Sequence, residues 1–225
     1  MTRDDYQQSL ADLRTDILGM GELVGSRLDR ALAALATVDE GSARAVIGTD
    51  DEINQRYLDL ESECIQLLAR QQPVAGDLRF VAASFKILTD LERVADLAAN
   101  LAQYTLAANR KRFEEVDLSA IGDLASEMFD DALTAYRTDD AERCREIAAR
   151  DDTLDSLCQN ASERVVRELI ERENAAADSW RVERLLDDVS RLLLTVRDLE
   201  RIGDHAVNIA ARTLYMVESD PSLVY

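Results

Sequence analysis

The chain has 225 residues, 47% of them hydrophobic, so it can bury a substantial core and is not a disordered chain. Its formal net charge of −19 disfavours contact with nucleic acid and with anionic membranes, and favours cations and basic protein surfaces. The three cysteines include no Cys-x-x-Cys motif, and the sequence shows neither a leader pattern nor a long apolar run, so we expect a soluble cytoplasmic protein without disulfides, thiolate zinc or a membrane-inserted segment.

Few residues interrupt helices in this chain. It contains two prolines and eight glycines, whereas Ala, Leu, Arg and Glu are abundant. Apolar spacing and breakers predict six helical segments, in chain order about 4–38, 42–71 (with Ser42 as N-cap), 74–109, 117–136, 139–171 and 179–217. Long antiparallel helices joined by short turns pack as bundles, so we predict an all-α fold.

The second half of the chain repeats the first. The sequence Asp-Leu-Glu-Arg-Val-Ala-Asp at 90–96 matches Asp-Leu-Glu-Arg-Ile-Gly-Asp at 198–204, 108 positions later. A weaker match joins 51–54 to 152–155, 101 positions later. Internal repeats indicate duplicated structural units. We therefore predict two tandem three-helix bundles, residues 1–110 and 111–225.

The third helix of each half carries an apolar seam. Its positions follow a 4-3-4-3 spacing, which is typical of helices that pack in bundles. The seam residues are Ile87, Leu91, Val94, Ala98 and Leu101 in the first half, and Thr195, Leu199, Ile202, Ala206 and Ile209 in the second.

A polar stripe lies opposite each seam. Its residues are Glu92, Asp96 and Asn100 in the first half, and Glu200, Asp204 and Asn208 in the second. Carboxylates four residues apart on a helix repel each other by about 0.2–0.5 kcal/mol, and a bridging cation would turn this repulsion into ligation. Oxygen ligands suit hard or borderline cations. We therefore predict a metal site at an open surface of each half.

Acidic residues early in the second helix of each half are further candidate ligands. These residues are Asp51, Asp152 and Asp155. Acidic side chains at helix starts also favour the helix dipole, so a capping role competes with metal binding.

Other interpretations of the stripe remain open. In a chain this acidic, the stripe could be a solvated helix face, or Arg93 and Arg201 could form salt bridges with its acids. His205, the only histidine, could ligate a metal or play a structural role. No Gly-rich phosphate loop or Gly-x-Ser-x-Gly motif occurs, and a di-iron site needs two Glu-x-x-His motifs. The chain is therefore expected not to be an enzyme.

The sequence resembles the PhoU family of phosphate-uptake regulators over nearly its whole length. The resemblance is carried by Asp51-Glu-Ile-Asn54, Gln71-Gln-Pro-Val-Ala75, Asp77-Leu-Arg79, and the segments 86–100, 151–155 and 198–210. It implies two three-helix bundles and acidic motifs that hold multinuclear clusters of a divalent or trivalent metal such as iron, Mn, Mg or Zn. It further implies a homodimeric negative regulator between the ATPase of a phosphate ABC transporter and a sensor histidine kinase.

The first half departs from that pattern. Asn54 stands where an acidic residue is expected, and Ala95 stands where the second copy has Gly203. We therefore expect the second half to hold the better metal site. The alternative function is an acidic helical scaffold protein without a metal role.

Overall fold

The fold is entirely helical in the part of the chain that this computed structural model describes, residues 3–48, 50–70, 74–107, 118–173 and 179–223. These residues form seven α-helices: α1 (Arg3–Thr37), α2 (Glu40–Ile47), α3 (Asp50–Arg70), α4 (Ala75–Ala107), α5 (Ser119–Thr138), α6 (Ala141–Glu173) and α7 (Ser179–Glu218). The all-α prediction is confirmed. None of these helices is long and apolar enough to cross a membrane.

The second predicted segment is divided into α2 and α3. Its predicted N-cap, Ser42, is wrong, because Asp39 caps α2 by accepting hydrogen bonds from the backbone N–H groups of Gly41 (2.9 Å) and Ser42 (3.3 Å). Val38, at φ 53°, separates this cap from α1. Gly48 ends α2, where its N–H donates to the Arg44 carbonyl at 3.1 Å.

Two bundles follow the internal repeat. In the first, α1, α3 and α4 pack against one another, and α2 packs on α1 and α4. In the second, α5, α6 and α7 pack together. Every position of both predicted seams is buried, the most exposed being Thr195 at 2%. The seam therefore supplies the core of each bundle, as its spacing predicts. The three cysteines are buried and free.

The bundles pack side by side through α4 against α7 and α1 against α5. Polar contacts accompany this packing. The Ser84 and Tyr136 hydroxyls lie 2.7 Å apart in the buried contact between α4 and α5. The Arg14 guanidinium forms an ion pair with Asp139 at 2.9 Å and lies over the rings of Phe80 and Tyr136. The two repeats thus share one continuous core.

Candidate acidic cation site

α6 and α7 pack tightly at Gly203. A Cβ atom built on Gly203 would lie 2.0 Å from Cδ2 of Leu154, a separation that no side chain can occupy. Leu154 is fully buried in this contact. A side chain at 203 would therefore require the Leu154 side chain or the helices to shift, and the acids flanking Leu154 on α6 lie near those flanking Gly203 on α7.

Four carboxylates gather around this contact: Asp151 and Asp155 on α6, and Glu200 and Asp204 on α7. Burial, followed by the charges of Asp155 and Asp204, raises the pKa of Asp151 and of Glu200. Burial, followed by the charge of Asp155, also raises the pKa of Asp204, while His205 and Arg201 act in the opposite direction. We call these four residues the acidic cluster.

One oxygen of the acidic cluster has no hydrogen-bond partner among the described residues. Oδ1 of Asp151 is buried, and no hydrogen-bond donor of the described residues reaches it. A buried carboxylate oxygen without a donor costs free energy that a donor or a cation would recover. Its environment therefore suits a positively charged ligand.

The structure brings some of the predicted metal ligands of the second half together and places others apart. Glu200, Asp204 and Asp155 come together. Asp152, which is exposed like Asp155 and Asp204, acts on this group through its charge on Asp151. Asn208 is half-buried on α7, one turn beyond Asp204. Asp151, which was not predicted as a candidate, lies with this group, and its i, i+4 spacing to Asp155, the same as that of Glu200 to Asp204, could have identified it.

In the first half, an arginine already accompanies the corresponding acids. The Arg93 guanidinium lies 3.5 Å from a carboxylate oxygen of Glu92 and 3.8 Å from one of Asp96. In the second half, the equivalent Arg201 lies 3.9 Å from Asp198. The salt-bridge interpretation of the stripe therefore describes the first half.

Other first-half positions also differ from the second. Asn54 occupies the position of Asp155, and Asp51 is exposed on α3. Tyr57 occupies the position of Cys158, and its hydroxyl donates to Glu61 at 3.1 Å. The second half therefore holds the larger group of neighbouring carboxylates, and the expectation that it is the better metal site stays a prediction.

Asn100, the third residue of the first-half stripe, contacts the second bundle. The Asn100 side-chain amide donates to Oδ2 of Asp198 at 3.3 Å, across the contact between the two bundles. The Tyr104 hydroxyl donates to the same oxygen at 2.9 Å. Asp198 is fully buried and is also paired with Arg197 at 3.0 Å. Asn100 thus contacts the neighbouring bundle and is not directed at Glu92 and Asp96.

His205, like Asn100, makes a hydrogen-bonding contact with the neighbouring bundle. Its Nδ1 lies 2.9 Å from Oδ1 of Asp90 on α4, and both side chains are largely buried. This ring nitrogen is therefore engaged with the other bundle. Of the two roles considered for His205, the structure supports the structural one at Nδ1.

The chemistry of the acidic cluster fits a hard or borderline cation. Its ligand atoms are carboxylate oxygens, which suit Mg²⁺, Mn²⁺ and iron. Within the described ranges, no three His, Cys, Asp or Glu side chains are oriented as a finished ligand set. The backbone positions bring the carboxylates together, and cation binding would require rotamer changes at partly exposed side chains.

Both repeats of the chain match a known family model. The model of the PhoU domain matches residues 17–105 and 118–213. The chain belongs to the PhoU family. The resemblance noted from the sequence is confirmed over both repeats.

Relatives within this family align with almost the whole chain. The phosphate-specific transport system accessory protein PhoU homolog of Pseudomonas aeruginosa is 34% identical over 94% of this chain and 85% of its own length. The protein of the same description from Clostridium acetobutylicum is 31% identical over 96% of both chains.

Solved structures of the family have the same fold. The crystal structure of PhoU from Pseudomonas aeruginosa superposes with a TM-score of 0.86, at 32% identity, over 96% of this chain and 100% of that chain. The structure of the phosphate transport system regulatory protein PhoU from Streptococcus pneumoniae gives a TM-score of 0.85 at 29% identity, over 96% of this chain and 98% of that chain.

Proposed function

We propose that this chain is a non-enzymatic, cytoplasmic negative regulator of phosphate uptake and of phosphate-responsive signalling. In this role it acts as a homodimeric adaptor between the ATPase of a phosphate ABC transporter and a sensor histidine kinase. The observation that carries the proposal is the match of both repeats to the PhoU domain, together with relatives named as phosphate transport accessory proteins.

Metal binding by the acidic cluster is the second part of the proposal. Asp151, Asp155, Glu200 and Asp204 would hold the cation, and the buried Oδ1 of Asp151, which no donor of the described residues reaches, supports this assignment. A bound cation would supply positive charge that neutralises the cluster. At neutral pH the charged carboxylates repel one another, so cation binding would stabilise the contact of α6 with α7. Iron, Mn, Mg and Zn are the candidate metals.

The regulatory role is tested by gene deletion. Deletion should raise phosphate uptake and the expression of phosphate-responsive genes when phosphate is plentiful, and the wild-type gene should reverse both effects. Unchanged uptake and expression after deletion would contradict the regulatory role. Co-purification of the transporter ATPase and the kinase with the tagged chain would test the adaptor role directly.

The metal role is tested with a charge-matched pair of variants. Glu200→Gln combined with Asp204→Asn should lower bound metal and impair complementation. The control, Asp123→Asn combined with Glu146→Gln, removes two exposed carboxylates outside the acidic cluster and should leave both unchanged. If the cluster variant binds metal and regulates normally, the alternative of an acidic helical scaffold without a metal role is favoured. Metal content is measured by elemental analysis of the purified full chain.

A further inference from the structure

The equivalent acidic stripes of the two halves differ in their arginine partners. The Arg93 guanidinium lies 3.5 Å from a carboxylate oxygen of Glu92 and 3.8 Å from one of Asp96. Its equivalent 108 positions later, Arg201, lies 3.9 Å from Asp198. Within the described ranges, no arginine lies at ion-pair distance from a member of the acidic cluster. Among these residues, an arginine therefore pairs with the stripe acids in the first half and not in the second.

The acid three residues before each arginine also differs in its surroundings. Asp198 is fully buried, so solvent screens its charge little, and it pairs with Arg201 and Arg197. The equivalent acid, Asp90, lies 2.9 Å from Nδ1 of His205 in the opposite bundle. The orientation of Arg201 toward its buried acid matches this difference, and its charge acts on the acidic cluster from beyond ion-pair distance.

Two residues of α3 replace features of the acidic cluster. Asn54 carries an uncharged amide at the position of Asp155. Tyr57 carries a phenol at the position of Cys158. Burial raises the pKa of the Tyr57 phenol, and the charge of Glu92 adds to this effect, so the ring lies near the first stripe. The first half therefore has one carboxylate fewer and a larger side chain beside its acids.

The charge balance of the first half weakens its attraction for a cation. Asp50 keeps the acid of Asp151, whereas the positive charge of Arg93 lies beside Glu92 and Asp96. The affinity of an oxygen site for a hard cation rises with the number of charged ligands. A positive side chain at ion-pair distance from two of those ligands repels the incoming ion. A cation must therefore displace the arginine before it can use both acids of the first stripe.

We propose that Arg93 is the built-in counter-ion of the first stripe, so that the first half holds its acids without metal and the chain takes up cations at the acidic cluster alone. This inference rests on the metal role proposed for that cluster. An arginine keeps its charge whatever the metal supply, whereas the acidic cluster keeps its mutual repulsion until a cation binds. The contact of α6 with α7 then responds to metal, and the contact of α3 with α4 does not. The duplicated motif thus gives one constant half and one metal-sensitive half.

The first test compares the Mn²⁺ content of equivalent variants. The full chain is stripped with EDTA, equilibrated with Mn²⁺ and analysed for bound metal. Glu92→Gln combined with Asp96→Asn should leave bound Mn²⁺ per chain unchanged, whereas Glu200→Gln combined with Asp204→Asn should lower it at least tenfold. Circular dichroism checks that each variant keeps its helix content. A loss of bound Mn²⁺ from the first-half variant would overturn the inference.

The second test opens the first half to a cation. Asn54→Asp combined with Arg93→Gln restores the missing carboxylate and removes the counter-ion, so this variant should bind more Mn²⁺ than the wild type at the same free Mn²⁺ concentration. Adding Asp96→Asn should remove the gain. Gln66→Glu combined with Arg167→Gln makes the same change of charge at exposed positions and should bind as the wild type does. No gain, or an equal gain in this control, would contradict the role of Arg93.

The third test needs no metal. With EDTA present, Arg93→Gln should lower the melting temperature by about 1–3 °C in the wild type and should have no effect once Glu92 and Asp96 are neutralised. The matched change, Arg201→Gln, should depend less on Glu200 and Asp204. Zero coupling at Arg93 would overturn the inference even if the wild type binds Mn²⁺ normally. A wild type without Mn²⁺ would instead contradict the metal role of the acidic cluster, so the two failures give different results.

Discussion

His205 and Asp90 join the two halves of the chain. Nδ1 of His205 on α7 lies 2.9 Å from Oδ1 of Asp90 on α4, and their side chains are 16% and 11% exposed. The corresponding acid of the second copy, Asp198, is met instead by Asn100 and Tyr104 of the first. The repeat therefore places one buried acid on each side of the contact, and each acid has different partners in the opposite bundle.

Removal of His205 should destabilise the chain. His205→Ala leaves the Asp90 carboxylate buried without this donor, which costs about 1–3 kcal/mol of unfolding free energy. Urea denaturation at pH 7 measures the change. The exposed Tyr215→Ala on the same helix is the control and should change stability by about 0.5 kcal/mol or less. If His205→Ala matched the control, the contact would not stabilise the packing of the bundles.

The fold was predictable because its strongest determinant is local. The seam repeats every three or four residues along each third helix, and both copies are buried as that spacing requires. The break at Gly48 was missed because the apolar pattern continues across it from Val46 to Ile53. The Asp39 cap was missed because Ser42, inside the first turn, is also a good capping residue.

The candidate site was only partly predictable. The helical wheel places Glu200 beside Asp204 because they lie on one helix, and the charge of Asp204 does act on Glu200. It could not show that Asn100 contacts Asp198, since that contact depends on how the two bundles pack. It also could not choose between Asp151 and Asp152, because the choice depends on the rotation of α6 against α7. Sequence spacing therefore shows which side chains lie close together on one helix, whereas contacts between helices depend on how the helices pack.

Gly203→Ala should destabilise the contact of α6 with α7. Its Cβ atom would lie 2.0 Å from Cδ2 of Leu154, so the buried Leu154 side chain or the two helices must shift, at a cost of about 1–3 kcal/mol. Gly76→Ala is the control. Among the described residues, no atom outside its own stretch of helix lies within 4 Å of its added Cβ, and the substitution should stabilise the helix by about 0.5–1 kcal/mol. Thermal unfolding of both variants measures the difference, and equal effects at the two glycines would argue against close helix contact at 203.

A companion change should partly rescue the Gly203→Ala variant. Leu154→Ala removes the atoms that the new Cβ meets, so the double variant should be less destabilised than the sum of the two single changes. Strict additivity would mean that the cost at 203 arises from another contact. The same variants report on the acidic cluster, because separation of α6 from α7 should also weaken metal binding.

Ser84 and Tyr136 should behave as one buried hydrogen-bonded unit. Their hydroxyls lie 2.7 Å apart between α4 and α5. Tyr136→Phe and Ser84→Ala should each lower stability by about 0.5–1.5 kcal/mol, and the double variant by less than their sum. Chemical denaturation of the wild type, the two single variants and the double variant gives the double-mutant cycle. A coupling energy of zero would show that the two hydroxyls do not stabilise the contact between the bundles.

The acidic cluster should make stability depend on pH and on cations. The pKa of Asp204 is raised above its ordinary value of 3.8 by burial and by Asp155, so the folded chain binds this proton more tightly than the unfolded chain. Stability from this group is fully present below pH 3.8 and is lost as the pH rises through the raised pKa. At pH 7 without metal, Asp204→Asn should therefore be more stable than the wild type, by on the order of 0.5 kcal/mol for a partly exposed group.

A bound cation should make the wild type more stable than Asp204→Asn. Added Mn²⁺ stabilises a folded chain that binds it, so the wild type should gain unfolding temperature with Mn²⁺ concentration, whereas Asp204→Asn should gain less. Acidification should remove the difference in unfolding temperature between the two proteins, because the wild-type carboxylate is then neutral, like the Asn side chain that replaces it. Asp123→Asn, at an exposed position outside the cluster, should follow the wild type throughout. Calorimetric melting across pH and Mn²⁺ concentration distinguishes these outcomes, and parallel curves for the wild type and Asp204→Asn would remove Asp204 from the proposed site.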